Sequence, residues 1–147
     1  MNDIWEHNIS ISAVFTIFMA DRSTLERLDL RLEPLGLSSA KLWPMAFVAS
    51  ANQPVTITEL AECIGTTKSN MTAMVDRLEA SGFVTRTRST EDRRTVRIEL
   101  TELGEQQLQV GVQVMKEVNE TLRALFSPEE WANFHEYMQR VIDCSQF

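Results

Sequence analysis

The sequence predicts a mainly α-helical protein with one small β-hairpin. Apolar residues recur at three-and-four spacing through most of the 147 residues, the period of a helix packed on one face. Period-two alternation is confined to 83–88 and 95–100, the signature of two half-buried strands. Residues with cap chemistry separate the helical stretches.

The first helix is expected over 8–32. Ile11, Val14, Phe15 and Phe18 share a face that Leu25, Leu28 and Leu32 continue, and Arg22 can pair with Glu26 one turn on. Pro34 and Gly36 end it. Ser38 or Ser39 starts a second helix that carries Leu42, Met45, Phe47 and Val48 toward a core. Pro44 lies inside it, cannot donate to Ala40, and predicts a kink or a late start. Trp43 beside it reads as packing, with ligand-pocket lining as the alternative. Asn52-Gln53-Pro54 makes the next turn.

Thr56-Ile57-Thr58-Glu59 has capping-box spacing and opens a helix with Leu60, Ala61 and Ile64 inward and Gly65 at its end. Thr67 caps the next, whose buried stripe is Met71, Met74, Val75 and Leu78 and whose stop is Gly82. Two short helices joined by a tight glycine-containing turn make a helix-turn-helix. With that stripe inside, Lys68, Ser69, Asn70, Thr72 and Ala73 lie outward or at the N-terminus, where free amides and the helix dipole favour phosphate. Asparagine can read an adenine edge, and serine or threonine a base or a phosphate. A solvated polar face is the bland reading of the same residues.

The hairpin follows, with Val96, Ile98 and Leu100 toward the core and Arg97 and Glu99 toward water. Ser89 to Asp92 turn it, and Arg93-Arg94 follow the turn. Arginine at the tip of a two-stranded ribbon suits a narrow minor groove, and a neighbouring carboxylate can orient it. Thr101 caps a long helix through Leu125 striped by Val110, Val114, Val118 and Leu122. Ser127-Pro128-Glu129-Glu130 opens the last, striped by Trp131, Phe134, Met138, Val141 and Ile142.

Charge divides the same way. The chain carries a net −7, yet Thr66–Arg97 holds seven basic and four acidic residues, a local +3 that leaves −10 for the remainder. A basic island in an acidic chain fits polyanion binding by one face only. An apolar run of roughly 18 residues, needed to span a bilayer, is absent, as is a signal-peptide pattern, so the expected location is cytoplasmic. Cys63, Cys144, His7 and His135 are too scattered for a metal site. Cys63 reads as a buried, inert thiol, with redox sensing as the alternative. Nothing has the pattern of a nucleophile, a glycine-rich phosphate loop or a paired acid and base, so no catalytic residue or cofactor is expected.

The runs Glu59-Leu60-Ala61, Gly65-Thr66-Thr67-Lys68-Ser69, Val75-Asp76-Arg77-Leu78-Glu79, Gly82-Phe83-Val84, Asp92-Arg93-Arg94 and Leu100-Thr101 to Gly104 resemble the winged helix-turn-helix of the MarR family. The resemblance implies one domain over 1–147, with a DNA-binding region at 37–104 and dimerisation helices at 1–36 and 105–147. It implies a homodimeric, ligand-responsive transcriptional regulator, usually a repressor, on a pseudo-palindromic double-stranded operator. Thr67, Lys68, Ser69, Asn70 and Thr72 then take recognition-helix positions, and Arg94 is the wing arginine oriented by Asp92. Arg77, Arg86, Arg88 and Arg93 are phosphate contacts or structural pairs. A small anionic or phenolic effector is implied, with Phe15, Met19, Trp43 and Phe47 as candidate pocket residues. Ala73 stands where many members have a polar reader, and the first helix lacks the cysteine of the peroxide-sensing branch. A winged-helix module that binds protein instead of DNA is the alternative.

Overall fold

The computed structural model describes residues 13–51, 53–88 and 96–143, with side chains from residue 16 onward. Six α-helices and three short strands follow in the order α1 (Ala13–Leu32), α2 (Ser39–Ser50), β1 (Val55–Thr56), α3 (Ile57–Ile64), α4 (Lys68–Ala80), β2 (Val84–Arg88), β3 (Val96–Leu100), α5 (Glu102–Arg123) and α6 (Pro128–Ile142). This is the mainly helical fold with a small wing that the periodicities predict. No helix among the described residues is long and apolar enough to cross a membrane.

The chain forms two compact units, residues 1–114 and 115–147. In the first, Leu32, Leu42, Met45, Leu60, Val75, Leu78 and Ile98 are fully enclosed. Each such side chain contributes about 1.5–3 kcal/mol relative to exposure. Helix α1 packs on α2, α2 on α3 and on β3, and α3 on α4. One buried polar group joins α1 to α2. Ser39, 6% exposed, donates its amide to Asp29 Oδ1 at 2.5 Å and its hydroxyl to Oδ2 at 3.2 Å.

Local chemistry sets the element ends as expected. Gly36, Gly65 and Gly82 adopt φ of +71°, +71° and +74°, where a side chain would be strained. Thr56 and Glu59 form the reciprocal capping box of α3, and Ser127 and Glu130 that of α6. Ser38 caps α2 by accepting from the Lys41 amide. Pro44 neither delays nor interrupts α2. The carbonyl it leaves without a donor belongs to Ala40, an exposed residue within reach of water, while the Pro44 ring itself is buried.

The sheet is antiparallel in the order β1-β3-β2. Strand β1, two residues long, was not expected; it pairs Val55 with Ile98 and Thr56 with Arg97. Register on the other side sets Val84 opposite Leu100 and Arg88 opposite Val96. The sheet is closed onto α5 by Thr101, whose amide reaches Phe83 O at 3.0 Å and whose hydroxyl reaches Gly82 O at 2.5 Å. Thr101 Oγ1 also accepts from the Gly104 amide at 2.9 Å, so it caps α5 as well. A Cβ on Gly104 would lie 1.9 Å from Phe83 O, which requires glycine there.

In the second unit, α6 buries no side chain. Phe126, Trp131 and Phe134 cluster with centroids 5.6–5.7 Å apart, Phe134 stacked on each of the other two, and His135 meets the Trp131 ring edge-on at 4.7 Å. Leu125 and Ile142 are 72% and 74% exposed.

Several expected burials differ. Cys63 is exposed, because the buried arc of α3 is Leu60 and Ala61 and Cys63 lies outside it. Ile64 is on the predicted inner face but in the final helical turn, where the packed layer ends, and is exposed. Met74, Phe47 and Val48 are half-buried, and Val96 and Val110 exposed. The expected helical start at 8–12, with His7, Asn52, the hairpin tip and Cys144, lies outside the described residues.

Candidate nucleic-acid interface

Helix α4 presents its first turn outward. Thr67 Oγ1 accepts from the Asn70 amide at 3.2 Å, which leaves the Lys68 and Ser69 amides among the free donors of a helix N-terminus. Lys68, Ser69 and Asn70 are exposed. Asn70 Nδ2 reaches back to Thr66 Oγ1 at 3.4 Å, holding the amide at the lip of the turn. Thr72 donates its hydroxyl to Lys68 O at 2.8 Å, so its methyl group is what it offers outward. The buried face that fixes this presentation is Met71, Val75 and Leu78.

The basic residues separate by partner. Arg86, on β2, is committed within the chain. Its Nη2 donates to Asp76 Oδ1 at 2.5 Å and its Nη1 to Glu79 Oε2 at 2.7 Å. Both carboxylates lie on α4 one turn apart, so one guanidinium fork ties the wing to the helix. Of the two roles expected for Arg86, the structure shows the structural pair. Arg97 also departs from expectation. Instead of facing water it is half-buried and donates Nη1 to Pro54 O at 2.7 Å, latching β3 to the segment before β1. Arg77 is exposed on α4 and donates Nε to Ala73 O at 3.2 Å, and its outer nitrogens have no partner among the described residues. Lys68 and Arg88 are exposed cations with no partner among the described residues. Asp92, Arg93 and Arg94 lie outside the described residues.

Sequence reasoning missed the Arg86 clamp as a unit, although its signal was present. Asp76 and Glu79 are three apart on one helix, and a strand with a central arginine follows after a glycine turn. The Arg97 latch had no local signal, since its acceptor is 43 residues away.

Among the described residues, no cavity is lined by more than one of the candidate pocket residues. Met19 and Trp43 are 44% and 38% exposed and line none of the described cavities, and the Phe15 side chain is outside the description. Phe47 alone lines one, a cavity of about 350 Å³ with Ala51, Pro54 and Val55. A larger groove of about 680 Å³ runs between the end of α2, the base of the wing and the start of α5.

Residues 49–96 match the family model described as MarR family. The HTH-type transcriptional regulator YfiV of Bacillus subtilis, itself uncharacterised, is 52% identical over 46 residues, 31% of this chain and 29% of that protein. The HTH-type transcriptional repressor YetL of the same organism is 37% identical over 75 residues, 50% of this chain and 45% of that protein. The matched stretch thus spans less than half the length of either relative. Among solved structures, the transcriptional repressor CouR bound to a 23-mer DNA duplex has a TM-score of 0.86 at 23% identity, over 92% of this chain and 96% of that one. A mutant of Escherichia coli MarR complexed with operator DNA has a TM-score of 0.83 at 23% identity, over 95% and 98%. Residues 49–96 are therefore similar to the MarR family, and the chain has the fold of these two solved structures.

Proposed function

We propose that this chain is a sequence-specific, DNA-binding transcriptional regulator that acts as a homodimer on a pseudo-palindromic operator, represses, and releases DNA when a small molecule binds. The observation that carries this reading is the first turn of α4. It combines free amides, an exposed lysine and short polar side chains on a helix whose other face is locked into the core. Thr67, Lys68, Ser69, Asn70 and Thr72 enter the major groove, and Arg94, aimed by Asp92, reaches the adjacent minor groove. Arg77, Arg88 and Arg93 meet phosphates. One relative named as a transcriptional repressor and solved neighbours named as DNA complexes support the same reading.

Dimerisation is supported by apolar side chains that a single chain leaves open. Ile17, Phe18 and Met19 are exposed on α1, as are Phe134, Val141 and Ile142 on α6. The regions 1–36 and 105–147 would cover these faces, leaving 37–104 to DNA. Selection of bound fragments from the source genome, followed by gel shifts, tests the function. The expected result is fragments sharing half-sites about 10 bp apart. A protein-binding module would enrich no fragment, and that result would overturn the proposal.

A further inference from the structure

We infer that Ala73 is a specificity-determining residue of the α4 interface and that it reads the 5-methyl group of a thymine in the major groove. This rests on the regulator reading above and names one base of its operator. Helix α4 buries Met71, Val75 and Leu78. At about 100° of rotation per residue, the face opposite that stripe is centred on Ala73, with Ser69 one turn before it and Ala80 two turns after. All three are exposed. The middle of the outward face is therefore a methyl group.

The polar side chains around Ala73 have other partners. Thr72 donates its hydroxyl to Lys68 O at 2.8 Å, and Asn70 Nδ2 reaches back to Thr66 Oγ1 at 3.4 Å. Asp76 accepts from Arg86 Nη2 at 2.5 Å, and Arg77 turns onto its own helix through Nε to Ala73 O at 3.2 Å. The methyl of Thr72 extends the apolar surface on the side of α4 that carries Asp76, one turn on.

Such a spot has nothing to exchange with a polar base edge. Against the N4 amine of cytosine, the N6 amine of adenine or the O6 of guanine it would displace water and return no hydrogen bond. Thymine alone among the four bases sets an apolar group in the major groove, and alanine and threonine methyls complement it. Contact takes apolar surface out of water on both sides, so the preference is for thymine over cytosine at one pyrimidine position.

Deoxyuridine differs from thymidine by that methyl alone and supplies the test. A DNA fragment selected by the full chain gives the half-site, and each of its thymines is replaced in turn, in both half-sites together. Fluorescence anisotropy reads the affinity. One position should weaken binding about fourfold per half-site, the worth of one methyl-sized group returned to water. Ala73→Gly should bind the thymine and deoxyuridine fragments alike at that position, and any loss of helix stability cancels from this ratio because both fragments meet the same protein. Ala73→Ser, which sets a hydroxyl against the methyl, should abolish the preference too and serves if glycine unfolds α4. A half-site without thymine, equal affinity for deoxyuridine at every position, or variants that keep the parent's ratio would each overturn the inference and leave the regulator reading standing. Tighter binding of a fragment with 5-methylcytosine at that position would assign the methyl contact to modified DNA and overturn the thymine reading. Should the chain select no DNA, both readings fall.

Discussion

Replacing Arg86 by glutamine separates a structural cation from a DNA-contacting one. The guanidinium is 25% exposed and bridges carboxylates that are 58% and 41% exposed, so solvent screening discounts each pair to about 1 kcal/mol at most. Removing the charge also leaves Asp76 and Glu79 facing each other one turn apart, a repulsion of about 0.2–0.5 kcal/mol. The sum is about 2 kcal/mol. Urea unfolding at fixed protein concentration should show a midpoint lower by about 1 M, given a slope near 2 kcal/mol per molar. The salt dependence of DNA binding supplies the second reading. A lost phosphate contact makes the log–log slope shallower by about 0.9, whereas loss of an internal clamp leaves it unchanged. Arg86→Gln should therefore lower stability and keep the slope, and Lys68→Gln should do the reverse. An Arg86→Gln protein of unaltered stability with a shallower slope would refute the clamp.

Gly104→Ala should destabilise by about 3 kcal/mol, the upper end of overpacking, because the added methyl meets the Phe83 backbone and not a yielding side chain; chemical denaturation measures it, and a loss under about 1 kcal/mol contradicts the packing account. Hydrogen bonds from the Thr56 backbone and then its hydroxyl hold the Glu59 carboxyl below its usual range, and Ser127 does the same for Glu130. Both groups therefore contribute stability that is complete above the unfolded value of about 4.3 and is lost as pH falls through the lower folded values. A Glu59→Gln/Glu130→Gln variant should show a flatter fall of thermal midpoint below about pH 5, and a curve parallel to the parent's would contradict the two capping boxes. Arg94→Ala should weaken operator binding by about 1–3 kcal/mol; unchanged affinity with the dimer intact removes the wing assignment.

What the sequence disclosed was what short spacings encode. Thr56 with Glu59, Ser127 with Glu130, and glycines at 36, 65 and 82 act within one turn, and the structure has them where the pattern puts them. The α4 stripe and its polar first turn were legible for the same reason. What was hidden depends on partners far away in the chain. Strand β1 is too short to alternate and exists because β3 passes beside Val55 and Thr56. Arg97 reads as an outward strand residue until Pro54 supplies an acceptor. Cys63 and Ile64 looked inward because a helix of eight residues has too few turns for its apolar arc to be placed by period. Pro44 shows a local rule overridden, with the ring buried where the chain is expected to bend.

The most direct test of the DNA-binding claim is the affinity of the unmodified protein for a selected genomic fragment as a function of salt. With about eight phosphates neutralised by two copies of Lys68, Arg77, Arg88 and Arg93, the log–log slope should lie near −7. A flat response, from a chain whose net charge is −7, would mean that the basic face does not meet DNA.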